Sequence, residues 1–226
     1  MSRSLCIWTV AVGATLLLVD PAAAQQQPFG GGMGVGRLLA DPDVAKELKL
    51  TDEQVTKVKE VGQEIMAKHR EDFTKLRDLP REEMFKKFQE MGKAINDETM
   101  KALVEVLKPE QSKRLKQLEL QSLGVRAFQD ADVEKALSLT DDQKEKIKTI
   151  SEDLGKDMRE IRQGLRGGDR EKMEEAMKKI SAMTKEGMEK ASAVLKDDQK
   201  KAWKELTGDH FEFKPLGGFR RPNAGT

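Results

Sequence analysis

The chain has 226 residues, in which 41 Lys and Arg stand against 40 Asp and Glu, with eight Phe, two Trp and no Tyr. A net charge of +1 excludes a polyanion-binding basic protein, and the apolar content is too high and too periodic for a wholly disordered chain. Abundant Lys, Glu, Met, Leu and Ala beside few aromatic residues favour long helices over strands, so the predicted fold class is all-α.

Residues 1–24 read as a secretory signal peptide. Arg3 supplies the positive end, Leu5 to Val19 form an apolar run, and Ala22-Ala23-Ala24 offers a small-residue cleavage site. The run is shorter than the ~20 residues a spanning helix needs and ends at Asp20 and Pro21. Cys6 lies inside this segment, so the mature chain is expected to carry no thiol or disulfide chemistry. Residues 25–37 follow as a Gly/Gln-rich flexible leader. Its glycines imitate a phosphate-cradling loop, but no strand precedes them, and the nucleotide reading is set aside.

An internal repeat organises the remainder. Leu50-Thr51-Asp52-Glu53-Gln54 returns as Leu139-Thr140-Asp141-Asp142-Gln143, and Leu107-Lys108-Pro109-Glu110-Gln111 returns as Leu195-Lys196-Asp197-Asp198-Gln199. Two units are predicted, at 38–124 and 125–206, each with two Leu-x-x-x-Gln corners. Thr51 with Gln54, and Thr140 with Gln143, have the form of a capping box. The acidic pairs after each Thr suit the positive end of a helix dipole. Lys108 and Lys196 cannot cap as Thr does, so those corners should be less autonomous. Leu50 and Val55 are spaced for a hydrophobic staple, whereas Lys144 takes the partner's place in the second copy, so Leu139 must pack elsewhere.

Long helices follow each Thr corner. Ile147, Ile150, Leu154, Met158, Ile161 and Leu165 form one stripe, matched by Val58, Val61, Ile65 and His69 in the first copy. Breakers at Asp78-Leu79-Pro80 and Gly167-Gly168-Asp169 introduce the next helix, with Met84, Phe88, Met91, Ile95, Leu103 and Val106 as its apolar stripe in the first copy. Short helices are expected ahead of each Thr corner and after each Lys corner. Two helices of about 25 residues, each about 37 Å long, must pair antiparallel, leaving apolar surface that the other copy can cover. The irregular tail, 207–226, carries Phe211, Phe213 and Phe219, which either fold back onto the helices or stay mobile.

Catalytic groups are scarce. His69 and His210 are the two histidines, and no Ser or Asp sits in a recognisable nucleophile setting, so no enzyme is expected. Met173 with Met177, and Met66 with His69, share helix faces in a way that suits a soft ion. Gap-filling between helices is the favoured reading of the methionines, and neither a metal site nor a cofactor is predicted.

The two Leu-Thr-x-x-Gln corners, each between a short and a long helix in a chain with an export signal, resemble the LTxxQ-motif periplasmic proteins, the Spy/CpxP group. The resemblance runs from Leu38 to Leu206. It implies four-helix units, commonly paired into a curved homodimer that binds unfolded or misfolded envelope proteins without ATP; some relatives modulate a stress-sensing kinase or bind metal. Here two such units share one chain, so an intrachain pseudo-dimer is expected, with a homodimer as the other arrangement. The expected function is that of a periplasmic holdase-like chaperone, with a metal-responsive stress protein or a regulatory module for a sensor kinase domain as alternatives. No nucleic acid and no stable membrane insertion are expected. The family's client surface mixes basic and apolar groups. In this sequence it maps to Arg70, Phe73, Arg77, Phe85, Lys86 and Phe88, and to Arg159, Arg162, Arg166, Met173 and Met177. All of them also fit ordinary core or solvated-face duty.

Overall fold

The structure is a computed structural model that describes residues 34–165 and 170–213. The signal peptide, residues 25–33 of the leader, Arg166, the Gly167-Gly168-Asp169 breaker and the tail beyond residue 213 lie outside the described residues. All regular structure among the described residues is helical, so the fold is all-α.

The first half comprises α1 (Val35–Leu39), α2 (Pro42–Glu47), α3 (Asp52–Lys68), α4 (Arg70–Leu76), α5 (Arg81–Leu103) and α6 (Pro109–Leu123). A 3-10 helix, Gly124–Gln129, leads into α7 (Ala131–Ala136), α8 (Asp141–Gly164), α9 (Arg170–Val194) and α10 (Asp197–Thr207). The first long helix is not continuous. It breaks at His69, whose backbone (φ −90°, ψ 3°) closes α3 and opens α4, while α8 runs unbroken through the matching position.

The leader expected to reach residue 37 stops earlier. Gly34 and Gly124 share one unusual backbone conformation, φ 64° with ψ −127° and φ 58° with ψ −134°, open to glycine because it lacks a Cβ. Each is followed by a valine that is almost wholly buried, Val35 or Val125. Residues 34–37 are therefore part of the packed body. The Val35 amide donates to Asn96 Oδ1 at 2.9 Å, and Asn96 Nδ2 donates to Glu119 Oε1 at 2.7 Å, so one amide side chain ties α1 to α5 and α6.

Glu119 is the uncomfortable member of that chain. Burial pushes its carboxyl above the ordinary range, a rise that the Asn96 hydrogen bond opposes. A carboxyl raised on folding contributes stability below its unfolded pKa, and that contribution is lost as pH rises through the folded value. Glu119→Gln keeps the acceptor for Asn96 without a charge. It is expected to raise Tm at pH 7 by on the order of 2 °C, with the gap closing below about pH 4, as thermal melts across pH would show.

Short helices end in a left-handed residue, Lys49 (φ 51°) after α2 and Ser138 (φ 49°) after α7. The Leu50 amide returns to Ala45 O and the Leu139 amide to Glu134 O, both at 3.0 Å, the bond that closes a Schellman cap. Leu139 is buried in the second core, and Lys144, which occupies the staple position, instead pairs with Glu134 of α7 at 3.1 Å.

Two apolar cores result. The first gathers Val35, Leu38, Val44, Leu48, Val58, Leu103, Leu107, Leu115 and Leu118; the second gathers Leu120, Val125, Phe128, Val133, Leu137, Leu139, Ile147, Ala191 and Leu195. Helix α6 serves both, with Leu115 and Leu118 facing one core and Leu120 the other, and α10 packs against it. The halves are thus joined at the ends where the corners lie.

Candidate functional site

Each pair of corners is closed by two glutamines whose side-chain amides face each other. In the first half Gln54 Nε2 donates to Gln111 Oε1 at 2.8 Å, and Gln111 Nε2 returns to Gln54 Oε1 at 3.2 Å. The remaining valences reach the backbone. Gln54 Nε2 donates to Val106 O (2.9 Å) and Gln111 Nε2 to Leu48 O (3.0 Å), while Gln54 Oε1 accepts the Thr51 amide and Gln111 Oε1 the Lys108 amide. Gln143 and Gln199 repeat the pattern at 2.7 and 3.0 Å, with Val194 O and Leu137 O as backbone acceptors.

This arrangement shows why glutamine stands at each corner. Thr51 and Thr140 complete capping boxes through Oγ1, as the spacing predicts. The Lys108 and Lys196 side chains make no cap bond, since an ammonium has no lone pair to offer. Those corners are held instead by the glutamine bond to the Lys amide and by the partner corner. Leu107 and Leu195, which precede them, are buried. No buried side-chain N or O atom among the described residues lacks a hydrogen-bond partner.

Packing thins away from the corners. Ile95 and Leu103 of the α5 stripe are buried, but Met84 and Phe88 are 37% and 40% exposed, contrary to the continuous buried stripe expected from periodicity. The segment 81–90 is exposed throughout, and Phe85 reaches 60%. Met66 on α3 adds another exposed apolar group. Phe85 and Phe88 are three residues apart and Met84 and Phe88 four, spacings that share a helix face.

The predicted surface residues of the first half therefore cluster on α4 and the opening turns of α5, two helices that pack together. Phe73 is half-buried there, and Arg70, Arg77 and Lys86 are exposed, with no ion pair to a described carboxylate. Arg159 and Arg162 lie exposed towards the end of α8. On the opening turns of α9, Met173 is 43% exposed and Met177 half-buried. The candidates thus divide between the far ends of two hairpins. Met66 and Met84 are not among the predicted surface residues: periodicity places Met84 on the α5 stripe expected to be buried, and the sequence singles out Met66 only with His69, as a pair that suits a soft ion.

His69 sits beside this region at the α3–α4 break. Its Nε2 lies 2.9 Å from Glu98 Oε2 and its Nδ1 3.5 Å from Asp72 Oδ2, and Lys68 Nζ also bonds Glu98. The Lys68 ammonium, and then the His69 imidazole, hold the Glu98 carboxyl below its ordinary range. This is a partly buried, hydrogen-bonded histidine.

An open groove of about 470 Å³ runs along α9, lined by Lys185, Met188, Glu189, Ser192, Ala193 and Lys200, without a nucleophile and base in register. Among the described residues no three His, Cys, Asp or Glu side chains converge as a metal site would need, and no helix is long and apolar enough to cross a membrane. No family model, curated protein or solved structure matches the chain.

Proposed function

We propose that this protein is an exported, ATP-independent holdase-like chaperone of the kind its corner motifs resemble, capturing unfolded or misfolded envelope proteins. The observation that carries the reading is the apolar group left open at the α4–α5 end, with Phe85, Phe88 and Met84 exposed on the opening turns of α5, and with Arg70, Arg77 and Lys86 exposed on the same two helices without an ion pair to a described carboxylate. Exposed large apolar side chains rimmed by charge mark a binding surface more often than a solvated face. Methionine and phenylalanine on a thinly packed helix end repack around many sequences, and basic groups speed encounter with acidic segments. The two halves joined through α6 and α10 stand, on this reading, for the two protomers of the family's dimer.

Phe85→Ser/Phe88→Ser tests it. Both rings lie on the surface, so stability should change by less than about 0.5 kcal/mol per site. Suppression of aggregation of two unrelated denatured clients should fall at least severalfold at equal concentration, and the wild-type activity should persist in chelator. Unchanged suppression by the folded variant would sink the proposed surface. Activity that required a bound soft ion would favour the metal-responsive reading instead.

A further inference from the structure

Beyond α10 the chain turns at Gly208 (φ 63°) and runs over the first half as an extended strap. One side chain of α6 reads its backbone. Gln121 Nε2 donates to Thr207 O at 2.7 Å and Asp209 O at 2.8 Å, and Gln121 Oε1 accepts the Phe211 amide at 2.9 Å. Gln117, one turn earlier, donates to Glu205 O at 3.5 Å, and its amide leaves no room for a Cβ at residue 208, which would lie 2.4 Å from Oε1.

The strap's side chains alternate. Phe211 and Phe213 are half-buried against the first core, while Glu212 between them is exposed. The two rings meet edge to face, with centroids 5.0 Å apart at 74°. Gln117 Oε1 also accepts from Arg114 Nη1 within α6, but every bond that Gln117 and Gln121 make to residues 205–211 goes to main chain, so these polar contacts are indifferent to sequence and the two aromatic seats supply the selectivity. That division is how extended peptides are held at sheet edges: backbone hydrogen bonds for affinity, alternate side-chain seats for specificity.

We propose that the face of the first half beside Gln121 is a groove for extended aromatic-x-aromatic peptide segments, and that Gly208–Phe213 is its resident, displaceable occupant. A tethered occupant competes at an effective concentration on the order of millimolar, so the groove opens to segments presented at high local concentration and stays closed to dilute ones. The partner is an unfolded client segment, and for that source the inference rests on the holdase reading. The groove lies on the joined base of the halves, apart from the apolar α4–α5 end.

The probe is a labelled peptide of this chain's own residues 208–214, Gly-Asp-His-Phe-Glu-Phe-Lys, added to the full chain. Phe211→Ser/Phe213→Ser removes the resident aromatic anchors, and that variant should bind the peptide at least about tenfold more tightly than wild type does. Adding Gln121→Ala to the variant should abolish binding, and a peptide with both Phe replaced by Ser should not bind. A variant with unchanged helical melting that ignores the peptide overturns the proposal. So does equal binding of the Ser peptide, or wild-type chains that exchange straps into dimers while taking up no peptide. Should the variant lose its fold, hydrogen exchange at the wild-type Phe211 amide decides: acceleration under excess peptide supports displacement, and unchanged protection refutes it. Loss of peptide binding with client protection intact would remove the groove and leave the holdase reading. Peptide binding without client protection would do the reverse.

Discussion

Phe128→Ala is expected to destabilise the protein by about 3–5 kcal/mol, more than any other single truncation in the second core. Phe128 is 1% exposed and is the largest of the fully buried side chains. It lies in the 3-10 helix that connects the halves, and its ring sits 4.2 Å from that of Trp203 on α10, tilted by 36°. Removing it opens a cavity among Leu120, Val133 and Ile147 and strips α10 of its aromatic contact, itself worth roughly 0.5–1.5 kcal/mol beyond area burial. Chemical denaturation should report the loss, and Trp203 emission, read against a Trp203→Phe control, should shift to the red before global unfolding. A loss under about 1 kcal/mol would mean that the site collapses onto the gap and that Phe128 is not the wedge the packing makes it.

Breaking a glutamine pair is the second large effect. Gln111→Ala strands the Leu48 carbonyl and half of the Gln54 amide, in a place where Gln111 itself is only 7% exposed. Each buried polar group left without a partner costs about 1–3 kcal/mol, so a total of about 2–4 kcal/mol is expected. In a protein of this size that lowers Tm by roughly 5–15 °C. Gln54→Ala should cost somewhat less, because Gln54 is less buried.

The double variant separates a clamp from two independent caps. If the amides act as one unit, Gln54→Ala/Gln111→Ala falls short of the summed single losses by at least about 1 kcal/mol. Additive losses would show that each glutamine serves only its own helix. Gln111→Ala combined with Gln143→Ala should be additive, since the two pairs share no partner.

Much of this was legible in the residues. The Thr-x-x-Gln capping boxes form where the spacing places them, because a cap is local: donor and acceptor are three residues apart, and the backbone brings them together whatever lies elsewhere. The short helices before each corner and the long ones after it follow from propensity and period in the same way. The break of the first long helix at His69 was not legible, because the apolar period runs through it. The Glu98 and Asp72 carboxylates that hold the imidazole come from another helix and from the turn beyond the break.

The division between buried and exposed apolar groups was also beyond pattern alone. Ile95 and Phe88 stand on one stripe, yet one is 4% exposed and the other 40%, since the stripe shows only which face a residue takes and not whether another helix arrives to cover it. The role of Gln121 carried no signal at all: it matches no motif, and its partners are backbone groups 86 to 90 residues away.

The amino-acid order alone therefore settles the helical class, the repeated corners and their caps, since these depend on contacts within one or two turns. Folding in three dimensions decides which glutamine meets which, how α6 divides its faces between two cores, and which phenylalanines stay in water. Those outcomes depend on groups distant along the chain, whose meeting no local energy term encodes.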